Sequence, residues 1–399
     1  MRGVLGAASE NDLYNQLQTA GMELLDCRRV AQKAGGISFG VKRINVRDLI
    51  QFFIHMEQMQ SAGVPLLDAL SDIRDTTENQ ALRDIMSEVY RDVSDGASLS
   101  ESMEKHPKVF KVLYVSLIKA GEDTGDLTFS YRQLVKYLKW VDDMQSKIRK
   151  ATRYPIIVCV VVLLAVAIMM GLVVPQIVGF IRMLGQELPL ATTSLIATSD
   201  FFANPLFTLF GIPFYGGLVV ILTPFIIFAA LKAMKKMSHT LAYKIDLMYL
   251  NMPIMGPIIR KITIAQYAQT FASLFAAGID VVRALKSAKN TVTNVAMLEA
   301  LDAVEEYVQA GSPLSESFNR SGEFPSMVIR MIKIGEESGN LTAVLEQVSE
   351  FYTKDVDEAV QGLITMIEPA LTGVMGGMIL WIAVGVFGPI YNSFENIDF

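Results

Sequence analysis

Two short segments of the chain set carboxylates beside glycines: Gly121-Glu122-Asp123-Thr124-Gly125-Asp126 and Gly335-Glu336-Glu337-Ser338-Gly339-Asn340. Carboxylates gathered on a turn can hold a hard cation, which wants several oxygens, or work as an acid and base pair. The plain alternative is structural. Asp126 and Asn340 each stand just ahead of a helical run and both are preferred helix N-caps, with the glycines supplying the preceding turn. Comparing the two segments sharpens the cation reading. Asp68 corresponds to Arg283 and Asp126 to Asn340, while Glu122 and Glu336 agree. Asp68, Glu122 and Asp126 brought together would repel one another and invite Ca2+, whereas Arg283 would neutralise Glu336. A calcium site at Asp68, Glu122 and Asp126 is thus an expectation beside the capping one, and no other cofactor is called for.

Other chemistry is sparse. The two cysteines, Cys27 and Cys159, are far apart and form no CxxC pair. His55, His106 and His239 are scattered, and there is no GxxxxGK[ST] phosphate loop. With 35 basic against 41 acidic residues, and no basic stripe interleaved with aromatics, nucleic acid is not an expected partner. No catalytic residue is assigned.

The elements that must position these residues follow from where the charges lie. Residues 155–231 hold three charges (Arg182, Glu187, Asp200) and residues 369–394 hold none, while the rest of the chain carries the ordinary soluble share. Ile156–Val174 is long enough to cross a bilayer as a helix. A second span is expected over 201–231, kinked or tilted by Pro213 and Pro224, and a third over 369–391. Basic residues set the orientation: Lys147, Arg149, Lys150 and Arg153 precede the first span, and Lys232, Lys235 and Lys236 follow the second. The N-terminus and residues 232–368 are therefore expected in the cytoplasm, with the 182–200 loop and the 392–399 tail outside. The spans lack ionisable side chains, which disfavours a proton or ion path. The third contains Gly373-x-x-x-Gly377, small residues at a spacing that lets helices approach, in an oligomer or within one chain.

An internal repeat organises the whole. Shifted by 215, Ala62-Gly63 and Ala69-Leu70 fall on Ala277-Gly278 and Ala284-Leu285, and Leu99-Ser100-Glu101-Ser102 falls on Leu314-Ser315-Glu316-Ser317. Shifted by 214, the first glycine-carboxylate segment falls on the second, Pro155 on Pro369, Gly171 on Gly385 and Pro175 on Pro389. Each repeat reads as helices, with Leu49, Phe52, Met56 and Met59 on one face, matched by Ile264, Tyr267, Phe271 and Leu274. Gly63 and Gly278 are placed to end those helices. The predicted fold is an all-α membrane protein. A small α/β lead domain (1–40) begins at the capping-box-like Ser9-x-x-Asp12; two homologous cytoplasmic helical bundles (41–154 and 232–368) and three transmembrane helices (155–181, 201–231, 369–391) complete it.

The duplicated Ala-Gly-x-x-x-x-x-Ala-Leu, the paired GE-x-x-G-x-L, Leu188-Pro189-x-x-Thr192, and the stretch from Glu368-Pro369 to Pro389-Ile390-Tyr391-Asn392 together resemble the type II secretion F family over nearly the whole chain. That resemblance implies a multi-pass, non-enzymatic platform of the bacterial inner membrane, used in type II secretion or type IV pilus assembly. It also implies that the platform oligomerises and meets a hexameric cytoplasmic ATPase, pilin or pseudopilin subunits and other inner-membrane assembly proteins. A membrane-anchored cation-sensing scaffold and, more remotely, a small-solute transporter are the alternatives.

Overall fold

A computed structural model describes residues 44–183, 189–203, 205–209 and 212–395, all within one compact unit, Arg43–Phe399. The expected lead domain and the end of the tail lie outside the described residues. Numbering runs from the first described element. The first repeat comprises α1 (Val46–Ser61), α2 (Leu66–Thr76), α3 (Gln80–Ser94), α4 (Leu99–Glu104), α5 (Val112–Thr124) and the long α6 (Leu127–Ile168). A π-helical turn, Met169–Val173, carries α6 into α7 (Val174–Met183). Then come α8 (Leu190–Ala203), strands β1 (Pro205–Leu209) and β2 (Ile212–Tyr215), α9 (Gly216–Met237) and α10 (His239–Leu250). The second repeat is α11 (Met255–Ala276), α12 (Val281–Lys289), α13 (Val295–Gln309), α14 (Leu314–Ser321), α15 (Ser326–Ser338) and α16 (Leu341–Glu395).

The repeat in sequence is a repeat in structure. Helices α12, α13 and α14 begin 215 residues after α2, α3 and α4; α15 and α16 begin 214 residues after α5 and α6. The helix ends are made by local side chains. Asn79 accepts from the Ala81 and Leu82 amides at the start of α3, and Asn294 accepts from Met297 N at the start of α13. Such caps satisfy amides that have no partner inside the helix. Gly63 and Gly278 close α1 and α11 with φ of 79° and 81°, a left-handed turn that costs glycine least.

The apolar face predicted for α1 is buried: Leu49, Phe52 and Met56 sit in the core, as do Ile264, Tyr267, Phe271 and Leu274 on α11. Phe53, missed by that spacing, has no exposed surface and meets Phe52 edge-on at 4.8 Å. A ring so buried contributes roughly 1.5–3 kcal/mol. One continuous core runs through both repeats, so the two bundles are halves of a single body rather than beads on a string.

The long helices α6 and α16 lie side by side across this body. Lys136 Nζ pairs with Glu346 at 2.7 Å, Trp140 Nε1 donates to Thr353 Oγ1 at 3.1 Å, and Met144 and Ile148 line a narrow gap with Val356 and Val360. Both sets of numbers rise together, so the helices run parallel. Each continues without a break into an apolar stretch, through Pro155 in α6 and Pro369 in α16. Leu127–Gly179 and Leu341–Gly388 are long and apolar enough to cross a membrane. Their apolar halves present Ile157, Val161, Leu164, Ile379, Leu380 and Val384 to the outside.

Two expectations are corrected here. Residues 201–231 do not form one span. Pro205 opens β1 and Pro213 lies in β2, where a missing amide donor is tolerated at a strand start or sheet edge but would interrupt a helix; β1 and β2 pair antiparallel, and helix resumes only at Gly216. Among the described residues the regular structure is thus helical apart from one short hairpin. The expected 182–200 loop is helical from Leu190, because Leu195 and Ile196 are buried against Met170, Val174, Val178 and Ile382 of the two long apolar stretches.

Burial raises the Tyr114, Tyr131 and Tyr267 phenols well above their ordinary value near 10, and the carboxylates of Glu122 and Glu305 add to this at Tyr131 and Tyr267 respectively. A raised acid pKa means that folding favours the neutral phenol; stability is full below pH 10 and falls as pH rises beyond it, while the unfolded chain ionises first. Of the 13 tyrosines, these three should not ionise in a 295 nm base titration until the fold is lost. Smooth ionisation of all tyrosines with the fold intact would contradict the packing described.

Candidate functional site

Both glycine-carboxylate segments turn out to be joints. Glu122 sits near the end of α5 and reaches the start of α4, where its Oε1 accepts from Leu99 N at 2.6 Å and its Oε2 from Ser100 N at 3.3 Å and from Ser100 Oγ. Glu336 repeats the arrangement, accepting from Leu314 N at 2.6 Å, Ser315 N at 3.2 Å and Ser315 Oγ at 2.8 Å. The duplicated Leu-Ser-Glu-Ser and Gly-Glu are therefore two halves of one charge-assisted clamp. Gly121 and Gly335 stand beside it because nothing larger fits. A Cβ on Gly121 would lie 2.5 Å from Ser130 Oγ and 3.1 Å from the Asp126 carbonyl; on Gly335 it would lie 3.1 Å from Val344 Cβ. Gly125 and Gly339 end α5 and α15 in the left-handed region, and Asp126 caps α6 by accepting from Phe129 N at 2.9 Å.

The expected calcium site is not assembled. Asp68 is exposed in the first turn of α2, Glu122 is engaged by α4 and Asp126 by α6. Among the described residues no group of three or more His, Cys, Asp or Glu gathers to hold a metal. Arg283 pairs with Asp280 at 3.2 Å, not with Glu336. The carboxylates that looked reactive in sequence do the work of helix ends.

What the geometry offers instead is mechanical continuity, at three places. The first is the α6–α16 seam. The second is α8, which ties the two apolar stretches together: Thr192 Oγ1 donates to the Gly385 carbonyl at 2.7 Å, Ser199 Oγ to the Met170 carbonyl at 2.9 Å, and Trp381 Nε1 to Ser194 Oγ at 3.2 Å. Gly385 has no room for a side chain, since a Cβ there would meet Leu195 at 2.9 Å. By contrast Gly373 and Gly377 have open space around them. The third is the end of α9, where Lys235 pairs with Asp246 of α10 and lies 5.0 Å over the Tyr249 ring. Asp246 in turn accepts from Val295 N at 2.9 Å at the start of α13. In the first repeat Asp48 of α1 takes the matching place beside Asn79. The 215-residue shift puts Thr263, which has no carboxylate, at that position of the second repeat, and α10 supplies one. Sequence reading missed both the clamp and this substitution. The signal for the clamp was present as the recurrence of Leu-Ser-Glu-Ser with a Gly-Glu that follows in each half, the serine and the glutamate being 22 residues apart in the first and 21 in the second.

A family model, the type II secretion system (T2SS) protein F, matches the chain twice, over residues 52–175 and 267–389. The type IV pilus assembly protein PilC of Pseudomonas aeruginosa is 33% identical over 364 residues, covering 91% of this chain and 94% of that protein. PilC of Thermus thermophilus is 33% identical, covering 88% and 84%. The type II secretion system protein F of Vibrio cholerae is 28% identical, covering 92% and 88%.

Removing either clamp carboxylate, by Glu122→Ala or Glu336→Ala, should cost about 2 kcal/mol, because two amides and a hydroxyl lose a charged acceptor. Gly121→Ala should cost about 1–3 kcal/mol by overpacking, and Asp68→Ala less than about 0.5 kcal/mol. Thermal unfolding of the detergent-solubilised variants measures all four. An equal loss at Asp68 would show that the three carboxylates act together after all.

Proposed function

The chain belongs to the type II secretion system protein F family, and from that membership and its geometry we propose that it is a non-enzymatic inner-membrane platform. In this reading it couples a hexameric cytoplasmic ATPase to the assembly of pilin or pseudopilin filaments, alongside other inner-membrane assembly proteins. The observation that carries the reading is that α6 and α16 each run unbroken from a charged helical body into an apolar stretch. At 1.5 Å per residue α16 alone is about 80 Å long. A push or twist applied to the charged body reaches the bilayer through packed helices, with discrete contacts at the seam and at α8 rather than through a reactive group.

The parallel direction of α6 and α16 also bears on topology. Two spans that enter the bilayer from the same side require the chain to return between them, and α9, with 22 residues ending in Lys235 and Lys236, is the element for the return. At 1.5 Å per residue it is about 33 Å long, enough for one crossing. Basic residues ahead of the first span and in the last turn of α9 favour the cytoplasmic side for both repeats, and with it a periplasmic C-terminal end of α16.

Affinity purification of the tagged chain from its host membranes should recover a hexameric ATPase, and deletion should abolish surface filaments or secretion while leaving pilin synthesis intact. Cysteine labelling at Lys354→Cys should be blocked from outside intact cells. Filament assembly unchanged by deletion would sink the platform reading, and outside labelling would sink the topology.

A further inference from the structure

The two repeats meet through unlike faces. The first contributes one side of α6, with Lys136, Tyr137 and Trp140. The second contributes the groove between α11 and α16, where Glu346 and Thr353 receive Lys136 and Trp140, and where Gln269, Ser273 and Ser349 are buried. Neither repeat uses the face that its twin uses, so the contact is of the head-to-tail kind. Such a contact is not satisfied by one pairing, which leaves a free head and a free tail; repeating it closes a ring or extends an open array.

Both free halves are visible. The 215- and 214-residue shifts carry the occupied groove onto α1 and α6 of the first repeat. There Ile54, Glu57, Gln58, Ser61, Val135 and Lys139 line an open groove of about 580 Å³. The same shift carries the inserting face onto α16, at Glu350, Phe351 and Lys354. Phe351 is 39% exposed where its twin Tyr137 is 5% exposed, and on neighbouring α15 Ile334 is 59% exposed. We propose that the open α1–α6 groove binds the exposed α16 face of a second copy of this chain, head to tail, extending between molecules the contact that joins the repeats within one.

Three features support this occupant. The internal contact brings parallel helices together, so repeating it keeps every apolar stretch pointing the same way, as neighbours in one bilayer must. The charges are exchanged in register: the internal pair Lys136–Glu346 becomes Glu350 of one copy against Arg132 of the next, with attraction preserved. Phe351 replaces Tyr137, and its counterpart in the groove is His55, the twin of Thr270. Arg132 now pairs with half-buried Glu57 at 3.0 Å and Glu350 with Lys354 at 3.0 Å; Arg132, Glu350 and Lys354 are exposed, so these pairs exchange at modest cost. Lys139 meets Lys354 in this register, a like-charge contact that keeps the association weak and dependent on charge elsewhere in the groove.

Two differently tagged full-length chains, each carrying Cys27→Ser and Cys159→Ser, test the contact. One carries Arg132→Cys and the other Glu350→Cys, so a disulfide can form only between molecules. Mild oxidation in native membranes should give the mixed dimer, and neither variant should crosslink to itself. Separately, Arg132→Glu should weaken self-association of the purified chain several-fold by analytical ultracentrifugation in detergent, and adding Glu350→Arg should restore it. A like-with-like crosslink, no crosslink, or a double variant no better than the single one would each overturn the proposal. The contact involves neither ATPase nor filament, so its failure leaves the platform reading standing.

Discussion

Two helices that must stay parallel from water into lipid set the terms for everything else in this chain. A backbone leaving an aqueous core for a bilayer cannot expose unpaired amides and carbonyls, so the crossing is made inside continuous helices. Once α6 and α16 are committed to that course, their charged halves are held at a fixed spacing by the Lys136–Glu346 and Trp140–Thr353 contacts. The shorter helices of each repeat then fill the remaining sides. Their boundaries are enforced by acceptors placed at the helix starts, among them the carboxylates of Glu122 and Glu336. A glutamate that reaches back to the beginning of an earlier helix fixes two elements at once, and that is why each repeat keeps its shape although only part of its sequence is shared.

Much of this could be read from the residues alone, for a clear physical reason. Gaps in charge mark lipid, spacing of three and four marks a helix face, and a shift that superposes short motifs marks duplication; each signal is local or periodic. The paired Gly-Glu segments illustrate the boundary. Their N-caps and left-handed glycines follow from the neighbouring few residues. The destination of Glu122 depends on a contact more than 20 positions away, and side-chain type cannot reveal that Glu122 and Asp126 point to different helices. The supposed cation site failed on that point. The middle of the chain failed differently. An uncharged run of suitable length looks like a span, but Pro205 and Pro213 favour a strand pair, and the run is divided.

The repeats also show how a duplicated fold departs from symmetry. Asp48 and Asp246 serve corresponding starts of α3 and α13, yet one comes from the repeat's own first helix and the other from α10, the helix that precedes the second repeat. Through Lys235 that helix joins the second repeat to α9. Among the described residues, the second half alone is fastened to the membrane region by such a link.

The π turn at Met169–Val173 belongs with that asymmetry. Residues 383–387, its partner in the second repeat, are plain α-helix. One extra residue in a turn swings every later side chain by about 100° around the axis, and it leaves a carbonyl, that of Met170, for Ser199 to take. A lone helix wedged between two homologous, equally oriented neighbours would otherwise confront the front of one and the back of the other. By turning one neighbour's surface round, the π turn presents Val174 and Val178 to α8, where they are buried with Leu195 and Ile196 against Ile382 of the other apolar stretch.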